Sequence, residues 1–82
     1  MADWYVYLLK CADQTYYCGV TIDVTKRLVM HNTGKGAKYT RGRLPVCLMA
    51  RSRPLSKIDA HKAEARIKKL EKTRKRFAIQ NL

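Results

Sequence analysis

The stretch from Tyr17 to Gly34 constrains the fold more than any other, because it predicts a strand that runs directly into a helix. Residues 17–20 are aromatic, small or β-branched, which is typical of a strand. Asp23 suits the N-cap of a helix, where its side chain accepts hydrogen bonds from first-turn N–H groups. Gly34 supplies the left-handed backbone that ends a helix. A strand joined so closely to a helix predicts a domain of mixed α and β structure.

The predicted helix after Asp23 carries two polar residues on its inward face. Spacings of three and four residues place Val24, Arg27, Leu28 and His31 on one side. Charged groups rarely face a core without a partner or a function. An arginine at the border of such a face is also often a solvated side chain with a buried stem. Position alone therefore leaves both interpretations open.

The charge balance of the chain favours a polyanionic partner. The 82 residues allow one domain, which we expect to span residues 1–82. Eighteen Lys and Arg residues against six Asp and Glu residues give a net charge of +12. The basic residues are spread along the whole chain and do not form one amphipathic membrane-surface helix. We therefore expect nucleic acid, and no membrane, as the partner.

The three cysteines predict a reducing compartment. Their number is odd, and none stands in a CxxC or CxxH spacing, which argues against a disulfide framework and a structural zinc site. Cys11 and Cys47 are expected to be small buried residues, while the setting of Cys18 stays open. The sequence has no apolar run of membrane-spanning length and no signal-peptide layout at its start. We expect a cytoplasmic protein.

The remaining pattern predicts an α/β (α+β) domain, in which helices flank a three-stranded, mainly antiparallel sheet. Strands are predicted at 4–11, 15–20 and 46–50, and later helices at 57–70 and 74–79. Ser56 and Asp59 form a predicted capping box, and Thr73 caps the last helix. In that helix, Phe77 and Ala78 are expected to dock on the sheet.

The turn between the first two strands leaves two registers open. With a three-residue loop, Leu9 pairs with Tyr17, and the rings of Tyr7 and Tyr17 lie on one face of the sheet. With a two-residue loop, the two rings lie on opposite faces.

Five polar residues at inward or border positions suggest phosphodiester chemistry. They are Tyr7, Tyr17, Arg27, His31 and Glu64. Hydrolysis of a phosphodiester needs an activated water, a cation on the non-bridging oxygens and a stabiliser for the leaving oxygen. A site with Arg, Lys and a divalent cation favours tyrosine phenolate. One carboxylate, Glu64, can hold one Mg²⁺ or Mn²⁺ whose other ligands are water and phosphate oxygens.

The order of these residues resembles the GIY-YIG endonuclease superfamily. The matching segments are Tyr5-Val6-Tyr7, Tyr17-Cys18-Gly19, Lys26-Arg27, His31 and a helical Glu64. Residues 31–41 are similar to the short stand-alone bacterial members, and the resemblance covers roughly residues 4–79. The first triplet lacks its glycine, and Cys18 replaces an aliphatic residue. Both departures leave the two tyrosines in place.

The resemblance implies a metal-dependent DNA endonuclease, active in DNA repair or recombination, with its site on one face of the sheet. Of the motif tyrosines Tyr7 and Tyr17, one would activate water and the other would orient water or phosphate. Arg27 would hold the scissile phosphate, and His31 would assist proton transfer or bind phosphate. Glu64 would bind the single divalent cation.

A basic loop after the first helix is expected to contact nucleic acid. The predicted nucleic-acid-binding residues are Lys26, Lys35, Lys38, Tyr39, Arg41 and Arg43. An aromatic ring among cations suits base stacking along a phosphate backbone.

The expected substrate is single-stranded or branched DNA, because a domain of this size leaves little room for reading a long duplex sequence. RNA stays open, since no residue visibly senses a 2′-hydroxyl. We expect a monomer or a weak dimer. The alternative function is a non-cleaving, basic nucleic-acid-binding module of the same fold that works with a partner.

Overall fold

Seven elements make up the part of the chain that the computed structural model describes, residues 2–82. They are β1 (Tyr5–Lys10), β2 (Tyr16–Thr21), α1 (Val24–Asn32), α2 (Lys38–Arg41), β3 (Cys47–Arg51), α3 (Lys57–Lys68) and α4 (Lys72–Gln80). The strands form one antiparallel sheet in the order β2-β1-β3. The predicted fold class, a three-stranded antiparallel sheet with flanking helices, is confirmed. Within residues 2–82, no helix combines the length and apolar character needed to cross a membrane.

The helix boundaries follow from capping residues that the sequence predicts. The side chain of Asp23 accepts a hydrogen bond from the backbone N–H of Lys26 at 2.9 Å and begins α1. Gly34 follows α1 with a φ of 78°, as its predicted left-handed conformation requires. Ser56 accepts from the backbone N–H of Asp59 at 3.0 Å and begins α3. These three predictions are confirmed.

The last helix differs from its prediction. Helix α4 begins earlier than expected, and its N-cap is Glu71 instead of Thr73. Phe77 is 71% exposed, so the prediction that it docks on the sheet is wrong. Ile79 is fully buried instead. Residues two apart on a helix point to nearly opposite sides, so an inward Ile79 directs Phe77 to solvent.

One cysteine prediction is also wrong. Cys11 is buried as expected, but Cys47 is exposed. Cys47 begins β3, an edge strand, where one side of the backbone is open to solvent.

The sheet separates two apolar clusters, because alternate residues of β1 point to opposite faces. The α3/α4-side core consists of Val6, Leu8, Cys18, Ala50, Ala60, Ala63, Ile67 and Ile79. The α1-side core consists of Tyr7, Leu9, Cys11, Val24 and Val46. Strand β1 is thus covered on both faces, as its nearly continuous apolar sequence predicts.

The hairpin between β1 and β2 has the register that a three-residue loop requires. Leu9 pairs with Tyr17, and the N–H of Cys11 donates to the carbonyl of Thr15 at 2.8 Å. In this register Tyr7 lies opposite Gly19. Tyr7 and Tyr17 therefore point to the same face of the sheet.

Candidate active site at the β2 edge

Tyr7 and His31 form a buried hydrogen-bonded pair at the centre of the α1-side face. Tyr7 Oη lies 2.9 Å from His31 Nε2. The two residues are 2% and 0% exposed. Burial raises the pKa of Tyr7 to about 12, although the neighbouring Arg27 guanidinium acts in the opposite direction. Burial lowers the pKa of His31, and the charge of Arg27 lowers it further. Near pH 7 a neutral phenol therefore meets a neutral imidazole.

Two residues of the basic loop hold the other side of the His31 ring. Thr40 is fully buried on α2, and its Oγ1 lies 2.9 Å from His31 Nδ1. A Cβ atom on Gly36 would collide with the same ring. Sequence reasoning assigned neither residue to the site, because α2 is a single turn without a periodic pattern. The available signal was a short hydroxyl side chain between Tyr39 and Arg41 in an otherwise basic loop.

Gly19 allows the Tyr7 ring to lie directly over β2. A Cβ atom on Gly19 would lie 2.5 Å from Tyr7 Oη, well inside van der Waals contact. A glycine at a motif position can let backbone and substrate approach closely. In the structure, the Tyr7 ring fills this space.

Tyr17 joins the pair from β2. Its ring centroid lies 6.4 Å from that of Tyr7 and 5.4 Å from that of His31. Arg27 is half-buried on α1 and lines a cleft of about 210 Å³ together with Lys26. Four of the five predicted catalytic residues thus lie on one face of the sheet.

Glu64 reaches the same edge from the opposite face. Glu64 lies on α3, close to Cys18. Burial of Cys18 is the larger cause that raises the pKa of its thiol to about 11, and the negative charge of Glu64 is the second. Its carboxylate is 3.4 Å from Lys68 Nζ, which in turn lies 5.9 Å from the centre of the Tyr17 ring. Lys68 therefore lies at the edge of β2 between Glu64 and Tyr17.

The residues present fit a magnesium-type ion better than a zinc ion. Across residues 2–82, no group of three or more His, Cys, Asp or Glu side chains is placed to hold a metal. Zinc would need such a group. Mg²⁺ keeps most of its water and needs only one or two carboxylates together with phosphate oxygens. The side chain of Glu64 is 20% exposed and is paired with a half-exposed lysine, so it can serve as that carboxylate.

The basic loop divides into outward and inward side chains. Lys35, Lys38 and Arg41 are exposed. Tyr39 stacks on Tyr17 at 5.9 Å between ring centres, with 26° between the planes.

Arg43 is engaged within the protein. Its Cζ lies 4.0 Å from the centre of the Tyr39 ring, and its Nε donates to Asp13 at 2.9 Å. Of the predicted nucleic-acid-binding residues, Arg43 is thus the one whose guanidinium already has protein partners.

A second arginine–tyrosine pair lies on the same face and was not predicted. Arg51 pairs with Tyr7 in the β1–β3 ladder, and its Cζ lies 4.5 Å from the centre of the Tyr5 ring. Both side chains are partly or fully accessible, so they extend the basic surface past Tyr7 toward β3.

Comparison with known proteins identifies the family. A family model described as the GIY-YIG catalytic domain matches residues 3–77. The chain belongs to the GIY-YIG family. The GIY-YIG motif triplets fall in the paired strands β1 and β2, and the resemblance seen in the sequence is confirmed. As a nuclease domain, a GIY-YIG domain acts on nucleic acid.

Similar GIY-YIG proteins are small bacterial chains. A UPF0213 protein of Cupriavidus necator is 48% identical over 89% of this chain and 79% of its own length. A UPF0213 protein of Streptococcus agalactiae is 56% identical over 85% of this chain and 77% of its own length.

Two solution NMR structures share the fold. A UPF0213 protein of Bacillus halodurans is 44% identical with a TM-score of 0.54, covering 89% of this chain and 78% of that one. A protein of E. faecalis is 38% identical with a TM-score of 0.62, covering 94% of this chain and 82% of that one.

Proposed function

We propose that this protein is a metal-dependent DNA endonuclease that hydrolyses phosphodiester bonds in single-stranded or branched DNA, with the whole chain acting as one nuclease domain. The observation that carries the proposal is the buried hydrogen bond between Tyr7 and His31. A phenol with a pKa of about 12 is a poor base unless a neighbour takes its proton. His31 lies within hydrogen-bond distance and is neutral near pH 7.

In the proposed mechanism, Tyr7 transfers its proton to His31 Nε2 while its oxygen accepts a proton from the attacking water. The water oxygen forms the new bond to phosphorus, and the bond from phosphorus to the leaving oxygen breaks. The leaving oxygen takes a proton from solvent, and His31 then returns its extra proton to solvent. Tyr17, whose ring lies 6.4 Å from that of Tyr7, orients the water or the phosphate. Burial strengthens the hydrogen bond between Tyr7 and His31, because bulk water does not compete for it.

Arg27 and Glu64 help to neutralise the negative charge of the reacting phosphate in this proposal. Arg27 borders the tyrosine cluster and holds the scissile phosphate through its guanidinium. Glu64 would hold the divalent cation, which when bound supplies charge neutralisation at the phosphate and the leaving oxygen. Lys68 would leave the carboxylate for the incoming phosphate, since its ion pair with Glu64 is solvent-accessible and weak.

The preference for single-stranded or branched DNA rests on the character of the surface around the site. Tyr39 is 38% exposed and lies among the exposed cations Lys35, Lys38 and Arg41. Such a combination follows a flexible strand better than it reads the grooves of a rigid duplex.

A cleavage assay tests the proposal. Labelled single-stranded, duplex and branched DNA and RNA are incubated with the wild type, Arg27→Ala and Glu64→Gln in Mg²⁺, Mn²⁺ or EDTA. We expect metal-dependent cleavage of single-stranded or branched DNA and a loss of at least 10²-fold in both variants. Arg74→Ala and Glu71→Gln, which alter exposed residues at the start of α4, should retain wild-type activity. Binding of every substrate without cleavage would replace the proposal with the non-cleaving module.

A further inference from the structure

Thr40 contacts two partners that together define where its proton lies. Its Oγ1 lies 2.9 Å from the carbonyl oxygen of Ala37 and 2.9 Å from Nδ1 of His31. The residue is fully buried, so water does not substitute for either partner.

The protons in this chain of contacts can be counted. A carbonyl oxygen only accepts, and a threonine hydroxyl has one proton. Thr40 therefore donates to Ala37 and accepts from Nδ1 of His31. A neutral imidazole carries a single proton, so a proton on Nδ1 leaves Nε2 bare. The bare Nε2 accepts the hydroxyl proton of Tyr7.

We propose that Thr40 is a positioning residue that fixes the tautomer of His31, so that Nε2 is the atom available to Tyr7. The proposal deepens the proposed function and rests on it, because the tautomer affects cleavage only if Tyr7 passes its proton to His31. Without the hydroxyl, Nδ1 loses its acceptor, and the opposite tautomer becomes accessible. In that tautomer Nε2–H donates to Tyr7 Oη, and Nε2 is no longer available to accept the proton of Tyr7.

The surrounding structure limits other adjustments of His31. Gly36 packs so closely against the ring that a Cβ atom would not fit, and the Tyr17 ring meets the imidazole edge-on at 5.4 Å. The imidazole plane is thus held by packing, while Thr40 determines which nitrogen carries the proton.

Nitrogen-15 NMR of the histidine ring tests this assignment without any cleavage. The protonated and bare nitrogens of a neutral imidazole have well-separated shifts, and a His61→Gln background leaves His31 as the observed histidine. We expect Nδ1–H and bare Nε2 in this background and in Thr40→Ser. Thr40→Val, which replaces the hydroxyl by a methyl group, should shift the spectrum toward the opposite tautomer.

Thr33→Val is the matched control. Its hydroxyl also donates to a backbone carbonyl, that of Met30 at 3.0 Å, but Thr33 is exposed at the end of α1. This variant should keep the wild-type tautomer.

In the cleavage assay, Thr40→Val should lower kcat by about 10- to 100-fold with little change in KM. This range is taken by analogy from metal sites, where loss of the hydrogen-bond partner that orients a histidine has an effect of this size. Thr40→Ser should restore the rate. Two results would overturn the proposal. One is a bare Nδ1 in the protein with native Thr40, and the other is a Thr40→Val spectrum identical to the spectrum of that protein. If Thr40→Val does not fold, the spectra of the protein with native Thr40 and of Thr40→Ser still show which nitrogen of His31 carries the proton. A chain with the expected tautomer that cuts no substrate refutes the proposed function and leaves the tautomer assignment standing.

Discussion

The two faces of the sheet are built from different chemistry, although the same strand serves both. On one face, α3 and α4 cover an apolar cluster in which Val6, Leu8 and Ile79 are fully buried. On the other face, Tyr7 shares its buried environment with two polar side chains, His31 and Thr40. Every buried polar side-chain atom in residues 2–82 has a hydrogen-bond partner.

This difference indicates how a small domain combines stability with reactive groups. Tyr7 lies between Val6 and Leu8, two residues that are 0% exposed. The α3/α4-side core therefore fixes the strand from which Tyr7 projects to the other face. Functional groups carried by a rigid strand keep their geometry better than groups carried by loops. Apart from Glu64, which reaches the site from α3, we expect substitutions in the α3/α4-side core to act mainly on stability and substitutions around Tyr7 to act mainly on activity.

The largest expected effect is that of Tyr7→Phe on cleavage. The change removes only the hydroxyl that meets His31, so we expect the rate to fall by about 10²- to 10⁴-fold, the usual contribution of a general base. Stability should fall by about 1–3 kcal/mol, because His31 Nε2 loses its partner in a buried site. Tyr16→Phe on β2 is the control, since the Tyr16 ring packs on the α3/α4-side core. Equal activity of the two variants would contradict a role for the Tyr7 hydroxyl.

The opposite pattern is expected for Ile67→Ala on α3. Ile67 is 1% exposed, and truncation of a buried isoleucine costs about 2–5 kcal/mol. Ile58→Ala on the same helix is the matched control, because Ile58 is 67% exposed. Urea unfolding measures the free energy of unfolding of both variants. The cleavage rate per folded molecule should stay near that of the wild type in each. A large loss of activity in fully folded Ile67→Ala would break the separation between the two faces.

Much of the fold could be predicted from local signals. Asp23, Ser56 and Gly34 mark helix ends by capping chemistry, which depends on neighbouring residues alone. The local sequence leaves two hairpin registers open, because the register depends on whether two or three residues form the loop. The hydrogen bond from Cys11 to Thr15 resolves that choice.

The rest of the site depends on contacts between distant segments. Thr40 enters the site only because the loop after α1 folds back over His31, nine residues earlier in the chain. The position of Glu64 on the opposite side of β2 follows from the packing of α3, which helical periodicity does not orient relative to the sheet. Arg51 was missed because its importance comes from lying opposite Tyr7 in the β1–β3 ladder.

A pH titration of stability should distinguish the two faces. The pKa of His31 is lowered from its ordinary value of 6.5 by burial and by Arg27, so the unfolded chain binds its proton more readily than the folded protein. Stability contributed by neutral His31 is therefore complete above pH 6.5 and lost as pH falls below it, by at most about 1.4 kcal/mol per pH unit.

The comparison of three proteins isolates this effect. His31→Gln should show a shallower decline than the wild type as the pH falls below 6.5. Ile67→Ala should lower the free energy of unfolding equally at every pH and keep the wild-type slope, because the substitution neither adds nor removes a titrating group. A slope in His31→Gln as steep as that of the wild type would rule out His31 as the source.

The smallest expected effect concerns the basic loop, whose arginines differ in what they contact. Arg41 is exposed, whereas Arg43 is occupied by Asp13 and by the Tyr39 ring. Each phosphate contact on single-stranded DNA contributes about 0.7 to the slope of log K against log salt. Arg41→Ala should lower that slope by about 0.7, as measured by fluorescence anisotropy in a Glu64→Gln background that prevents cleavage. Arg43→Ala should leave the slope nearly unchanged, because its guanidinium already has partners in the protein. An equal drop in both variants would mean that DNA competes Arg43 away from Asp13, and the division of the loop into outward and inward side chains would then hold only for the free protein.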